Sequence, residues 1–437
     1  MKIKGQTLWE RAKKIIPGGN QLLSKRSERF LPGLWPAYYK KAKGCEVWAL
    51  DGSRYYDFAQ MGVGSCVLGY ADDEVNAAVM EAIGNGSMCS LNSHEEMELA
   101  EKLVGLHPWA DMVRFARTGG EACAIAVRIA RAATRRSKVA FCGYHGWHDW
   151  YLAANLGDDS GLDQHLLAGL VPAGVPSELR KTALPFSYNR LDELEAIARE
   201  HGDDLGVIIM EPQRSVAPDE GFLEGVRQIA DRTAAVLIFD EITSGFRMNL
   251  GGIHLTGEVI PDIVLFGKAL GNGFPISAIV GRRKFMEYAQ ESFISSTFWT
   301  ERIGFTAAIA TLQKMESCRV QDDLVAYGKR INQGWEQLAD KHGLKIHISG
   351  IPPLTHLSFV QDNPLVLQTL YAQEMLARGY LVGAAVYTTY AYSAEIIDKF
   401  IADSDQAFAI IKKAIDSREA TGFLKGDIIQ TGFKRLT

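Results

Sequence analysis

Six short apolar runs, Met112–Ala116, Lys138–Cys142, Gly206–Met210, Val236–Phe239, Ile263–Phe266 and Ala278–Val280, recur through the middle of the chain with helix-patterned stretches between them. A strand apolar on both sides is covered on both sides, and strands separated by helices pair in parallel. The pattern therefore predicts an α/β fold with a mostly parallel sheet between two layers of helix. Ligands of such sheets bind beyond the carboxyl ends of the strands. The residues that follow each run are thus the candidates for chemistry.

Three of those ends carry it. The run Ile263–Phe266 delivers Lys268 into the glycine-rich turn Gly267-Lys268-Ala269-Leu270-Gly271-Asn272-Gly273. An amine at a strand end loses water, becomes less basic and can attack a carbonyl, as a Schiff-base lysine must. A lone lysine in such a loop is more often a plain surface residue. Upstream, Ala235 to Phe239 ends in Asp240-Glu241. A carboxylate buried there needs a cationic or proton-donating partner, and a protonated pyridine nitrogen is one. Further upstream, Met112–Ala116 meets Arg117-Thr118-Gly119-Gly120-Glu121-Ala122, which opens a helical stretch to about Thr134. Glycines let the backbone approach an anion, the first-turn N–H groups point at it, and the helix dipole favours negative charge. A Thr-Gly-Gly turn alone is usually only a tight connection. A phosphate turn, an aspartate and a lysine in this order describe one cofactor, pyridoxal phosphate.

Further segments join these: Ile16-Pro17-Gly18-Gly19, Trp48-Ala49-Leu50-Asp51-Gly52 before Tyr56-Asp57, Val67-Leu68-Gly69-Tyr70, Tyr144-His145-Gly146, Glu211-Pro212, Gly245-Phe246-Arg247 and Leu250-Gly251-Gly252. On them the chain resembles the class III aminotransferases of fold type I, most of all the glutamate-1-semialdehyde 2,1-aminomutase branch, over nearly its whole length. The resemblance implies a large domain, residues 65–320, with a seven-stranded type of sheet. It implies a smaller α+β domain from both termini, with residues 1–64 contributing and 321–437 forming the C-terminal part.

The same resemblance implies roles. Lys268 would hold the cofactor as an imine and shuttle the proton, Asp240 would pair with the pyridinium nitrogen, and Tyr144 would lie on the ring face. Thr118 with the backbone of Gly119 and Gly120 would bind the phosphate. Thr297 would reach the phosphate of a neighbouring subunit, which implies a homodimer with shared active sites. Stacking on Tyr144 adds roughly 0.5–1.5 kcal/mol beyond area burial. Asp240 keeps the ring nitrogen protonated, so the ring is an electron sink. Glu211, at a strand end, is read as supporting the ring-binding residues rather than binding a substrate amine.

The chain departs from the aminomutase pattern at both cofactor-side and substrate-side positions. Its phosphate turn reads Ser-Gly-Thr-Glu-Ala, whereas here it is Thr118-Gly119-Gly120-Glu121-Ala122, so one hydroxyl is lost and the backbone donors remain. After Glu211-Pro212 the chain reads Gln213-Arg214-Ser215-Val216, with Gln213 the candidate for the cofactor's ring hydroxyl. Tyr387 stands where the aminomutase carries a carboxylate. Residues 297–303, Thr-Phe-Trp-Thr-Glu-Arg-Ile, replace small ones. The expectation is a transaminase that takes an amino donor and an aldehyde or ketone acceptor. The alternative is an intramolecular aminomutase. Decarboxylation or racemisation on the same fold, and a non-catalytic scaffold, are weaker readings. Nothing in folding requires a lysine at 268, which argues against the scaffold.

With 437 residues the chain exceeds one core, which agrees with two domains. A net charge of −5 gives no basic field for nucleic acid or membrane. Cys45, Cys66, Cys89, Cys123, Cys142 and Cys318 show no Cys-x-x-Cys pair, and no signal peptide or membrane-length apolar run is present, so a cytoplasmic location is expected.

Other features read more plainly. His145-Gly146-Trp147-His148-Asp149 lacks the third ligand of a zinc site, so hydrogen-bonded histidines beside the cofactor are expected and no metal. His94 follows Asn92-Ser93 as a capped, solvated helix start. Met61-Gly62-Val63-Gly64-Ser65 reads as close backbone approach on the substrate side. Phe298, Trp299 and Tyr387 shape a pocket or pack a core. Arg247 holds the lysine loop by an ion pair or meets a substrate carboxylate. The stretch from about Leu152 to Pro185 has no clean period and is a lid or an interface loop.

Overall fold

The structure is a computed structural model describing residues 4–157, 160–165, 167–213 and 215–432. The chain divides into two compact units, Asp73–Gln321 on one hand and Met1–Asp72 with Asp322–Thr437 on the other.

The unit from both termini holds two sheets. Strands β1 (Tyr39–Lys43), β2 (Glu46–Ala49) and β3 (Arg54–Phe58) form an antiparallel meander, which β13 (Tyr380–Val382) joins in parallel beside β3. Strands β11 (Ile346–Ser349), β12 (Leu354–Phe359) and β14 (Ala385–Tyr387) form an antiparallel sheet. Phe58 anchors the core, with its ring centroid 4.5 Å from that of Tyr392 and 4.1 Å from that of Phe400, both stacked. In this unit Met61, Gly62, Val63 and Gly64 have φ of 39°, 64°, 59° and 80°. That is a left-handed turn, closed by the Gly64 N–H on the Gln60 carbonyl and by Ser65 Oγ on the Gly62 carbonyl. A β-branched valine at positive φ is costly, so the surrounding packing must enforce this turn.

The unit Asp73–Gln321 carries the seven-stranded sheet. Its strands are β4 (Met112–Ala116), β5 (Lys138–Cys142), β6 (Ala183–Pro185), β7 (Leu205–Met210), β8 (Val236–Asp240), β9 (Ile263–Phe266) and β10 (Ser277–Gly281), in the order β4-β10-β9-β8-β7-β5-β6. Strands β5 to β9 are parallel, and β10 is antiparallel to both β4 and β9, so six strands point the same way. Every residue of β7, β8, β9 and β10 is buried. That explains their unbroken apolar sequences, because helices cover both faces. The helix Gly119–Thr134 packs Ala122, Ile125, Ala126, Ile129 and Ala130 into this core at helical spacing.

Two details differ from the sequence reading. The seventh strand, β6, is only three residues long and ends in Pro185 opposite Phe141. A proline is tolerated at such an edge, and three residues show no period. Second, Ser93 sits at the N-cap of the helix His94–Leu106, but its side chain makes no cap bond, and Glu95 in the first turn is buried and paired with Arg302. The start of that helix is held by an ion pair rather than by a serine cap. The stretch 152–185 follows Trp150 and Tyr151, which are buried in the sheet's core together with Ala153, Ala154 and Leu162. Asn155 ties it internally, donating to the Leu170 carbonyl and accepting from the Leu162 N–H. Asp158, Asp159 and Leu166 of that stretch, and Arg214, lie outside the described residues. Among the described residues no helix is long and apolar enough to cross a membrane.

Candidate active site

Five of the co-directed strands deliver the site residues at one edge of the sheet. Asp240 ends β8, Lys268 follows β9, Thr118 follows β4, Tyr144 follows β5 and Glu211 follows β7. The edge forms because each of these strands stops where polar residues begin.

Asp240 is 4% exposed and receives donors on both oxygens. The Ile242 N–H donates to Oδ1 at 3.0 Å, and on Oδ2 His145 Nδ1 lies at 2.8 Å and Cys123 Sγ at 3.3 Å. His145 is itself buried, and its Nε2 faces the Cys142 carbonyl at 3.2 Å. Both ring nitrogens thus face acceptor oxygens, with the Asp240 carboxylate the nearer of the two. Burial, and next the charge of Asp240, hold the Cys123 thiol well above its usual range, so it stays protonated. The ligand atoms of Cys123, His145 and Asp240 lie within 4.8 Å of one another, as a metal would require. A metal needs the thiolate, whereas the environment favours the thiol.

Lys268 opens the short helical turn Lys268–Gly271 with φ of 42°, a conformation uncommon outside glycine. Its Nζ donates to Thr243 Oγ1 at 2.6 Å. Thr243 is buried, and its carbonyl accepts from Arg247 Nε at 2.7 Å. Arg247 is itself fully buried, so its guanidinium braces the turn after β8. Glu241, next to Asp240, accepts from the N–H groups of Ile253 and His254 and lies 2.6 Å from His254 Nδ1. That carboxylate fastens the Leu250-Gly251-Gly252 segment to the end of β8.

The phosphate-type turn is a helix N-terminus with a capping box. Thr118 Oγ1 accepts from the Glu121 N–H at 3.4 Å, and the Glu121 carboxylate accepts from the Thr118 N–H at 2.9 Å. The Thr118 hydroxyl keeps its proton for another acceptor, and the N–H groups of Gly119 and Gly120 have no acceptor within the helix. Ile242 links this turn to the lysine: a side chain on Gly119 would meet it at 2.9 Å, and one on Gly267 at 3.4 Å. Gly146, at φ of 102°, lies against Gly120, where an added Cβ would stand 2.8 Å from the Gly120 Cα.

Tyr144 is half-buried, edge-to-face with Tyr151 at 6.1 Å. Its backbone N–H donates to Glu211 Oε2 at 3.2 Å, and Gly143, at φ of 116°, leaves room for that carboxylate. Thr297 lies in the exposed turn Thr297–Thr300. Arg117 straps this turn to the phosphate-type turn: its side chain donates to the carbonyls of Phe298 at 2.7 Å, Pro275 at 3.4 Å and Glu301. Phe298 is exposed, Trp299 packs partly on the core, and Tyr387 is buried in β14 of the other unit. Gln213 is half-buried.

Sequence reading passed over Cys123, Thr243, Ile242 and Arg117. Thr243, Ile242 and Arg117 are adjacent in sequence to motif residues. Cys123 lies one turn beyond Gly119 on the same helix, but nothing in its own sequence marks its contact with Asp240.

The fold and this edge are those of a pyridoxal-phosphate-dependent transferase. The chain belongs to the class III aminotransferases, since the family model described as "Aminotransferase class-III" matches residues 32–414. It is 33% identical over 420 residues to a 3-aminobutyryl-CoA aminotransferase of Cloacimonas acidaminovorans, covering 92% of this chain and 97% of that one. It is 31% identical over 426 residues to a glutamate-1-semialdehyde 2,1-aminomutase of Ignicoccus hospitalis, covering 92% and 98%. Among solved structures, the pyridoxal-phosphate internal aldimine form of the Sphingopyxis sp. MTA144 FumI protein superposes with a TM-score of 0.86 at 25% identity, covering 96% of this chain and all of that one. An omega-transaminase from Sphaerobacter thermophilus shares the fold with a TM-score of 0.82 at 23% identity, covering 94% and 98%. The protein is thus a pyridoxal-phosphate-dependent aminotransferase-family enzyme, as its sequence led one to expect.

Proposed function

We propose that Lys268 is the amine that binds the cofactor covalently, and that the enzyme transfers an amino group between two separate molecules. The observation that carries this is Asp240, buried at a strand end with its oxygens turned to donors and its neighbour strand delivering Lys268. The donor set fits pyridoxal phosphate: a helix N-terminus for the phosphate, a carboxylate for the ring nitrogen, an aromatic face and one amine. Bound there, the cofactor supplies an electron sink for the bond that breaks at the substrate's amino carbon.

The chain's own groups do the rest. Thr118, Gly119 and Gly120 hold the phosphate. Tyr144, fixed by Glu211 through its backbone N–H, presents its ring to the cofactor plane. Asp240 holds the proton on the ring nitrogen. Lys268, when free, carries a proton to or from the substrate carbon, and Thr243 Oγ1 takes the amine's hydrogen bond meanwhile.

Two copies complete the site in this reading. The exposed Met88, Met97 and Phe298 put apolar surface near Thr297, and a groove of about 450 Å³ lies between Asn92, Met97, Ser296 and Trp299. A second copy seated there would bring Thr297 to the partner's phosphate. Six free cysteines, four of them buried, suit a reducing cytoplasm.

An intermolecular transfer is favoured over the aminomutase reaction by Tyr387, which replaces the carboxylate of the aminomutase pattern, and by the 3-aminobutyryl-CoA aminotransferase relative. The test is a half-reaction. Purified protein is bleached by a candidate amine, the keto product is collected, and borohydride reduction of the unbleached protein labels one lysine peptide. A label elsewhere than Lys268 sinks the assignment. Bleaching with no released keto product restores the aminomutase.

A further inference from the structure

We propose that Cys123 is a positioning residue that tunes Asp240 toward the cofactor's ring nitrogen, resting on the reading that Asp240 faces that nitrogen. Cys123 lies in the second turn of the helix whose first turn is the phosphate seat. One helix therefore reaches both ends of the cofactor. Its Sγ is 3.3 Å from Asp240 Oδ2, the oxygen that also meets His145, and both partners are buried.

A thiol is usually a small apolar filler, and Cys123 does sit among Ala122, Ala126 and Val127 in the core cluster. What sets it apart is its acceptor. Its partner is a buried carboxylate rather than a carbonyl, and the neighbouring charges of Asp240 and Glu211 oppose loss of its proton while Lys268 favours it. Burial and Asp240 win, so the S–H remains a donor across the working range. With it, Asp240 has three donors before the cofactor arrives: the Ile242 N–H, the His145 ring and the Cys123 thiol. Each one draws negative charge from the carboxylate and lessens its electrostatic support of the protonated ring nitrogen. Cys123 thereby sets how firmly that proton sits on the ring nitrogen, and with it the strength of the electron sink.

The experiment uses the full-length protein loaded with pyridoxal phosphate carrying 15N in the ring, read by the ring-nitrogen NMR signal. Cys123→Ala removes the donor and leaves more charge on Asp240, so the signal moves upfield, toward the protonated nitrogen. Cys123→Val, which refills the sulfur's volume without a donor, moves it the same way and decides the matter if the alanine variant is unstable. Cys123→Ser restores a donor and returns the signal toward wild type. A signal that stays put or moves downfield in the donorless variants overturns the proposal, and so does a serine variant that shifts with them, because packing alone would do that. If wild-type protein takes up no cofactor on Lys268, the reading of the site fails and this inference with it. Loaded protein with an unmoved signal removes this inference alone.

Discussion

Lys268 and Thr243 are joined by a hydrogen bond of 2.6 Å from Nζ to Oγ1, across the turns that follow two neighbouring parallel strands. Thr243 is buried and its carbonyl is held by Arg247, so the hydroxyl has a fixed position relative to the amine. The bond gives the amine a resting partner when it is not bonded to carbon.

Replacing that partner tests the relationship. Thr243→Val keeps the shape and removes the acceptor, and a neutral-site hydrogen bond is worth about 0.5–1.5 kcal/mol, more when one partner is charged. The expected result is an enzyme that still takes up cofactor but transfers protons about 10-fold more slowly, seen as a drop in the rate of bleaching by a bound amine. Thr243→Ser should recover most of the loss. An unchanged bleaching rate in Thr243→Val would show that the contact is incidental.

Gly146 has φ of 102°, and a Cβ there would press on the Gly120 Cα at 2.8 Å. Backbone cannot step aside as a flexible side chain can. Gly146→Ala should therefore cost about 1–3 kcal/mol from strain and overpacking. Because the backbone displaced is that of the phosphate turn, the cofactor's dissociation constant should rise along with the loss of stability. Denaturant midpoints and reconstitution titrations of the same variant measure the two, and a variant as stable as wild type would refute the contact.

How much of this was written in the sequence depends on how local each feature is. Strands β7, β8 and β9 are buried on both faces, so their own residues announce them, and Asp240 and Lys268 were placed at their ends. Strand β6 exists only because β5 offers it a partner, and three residues ending in Pro185 carry no pattern of their own. Ser93 reads as a cap by residue type, but what holds that helix start is Arg302, more than two hundred residues away. Cys123 likewise looks like any small residue on an apolar helix face. Its bond to Asp240 becomes visible only when the helix is laid against β8.

Two buried histidines predict an acid-side loss of stability. Burial lowers the pKa of both His107 and His165 to about 4, with the charges of His254 and His145 respectively adding to it. In the unfolded chain each returns to about 6.5. Between these values the unfolded state binds more protons than the folded state, so stability rises with pH through the window from about 4 to 6.5 and is complete above it. Acidification from pH 7 to 5 should lower the urea midpoint. His107→Phe, which removes one of the two groups and fills the space between Trp109 and His254, should flatten that dependence. An identical slope in the variant would mean that other groups govern the acid limb.

The proposed sharing of the site between copies can be tested without a structure of the assembly. Thr297 is exposed on a turn that Arg117 fastens to its own chain's phosphate turn, so it is accessible to a second copy. If it serves a partner's phosphate, Thr297→Ala and Lys268→Ala damage different sites in a mixed dimer. One of the two sites then combines an intact lysine from one chain with an intact threonine from the other. Exchanging subunits at random makes half of the dimers mixed, each with one whole site, so about a quarter of wild-type activity should return. The Lys268→Ala protein alone should stay inactive, and the Thr297→Ala protein alone should bind cofactor more weakly. Activity in the mixture no greater than the average of the two variants would place Thr297 in its own chain's site or in none, and the apolar surface around Met97 and Phe298 would then need another occupant.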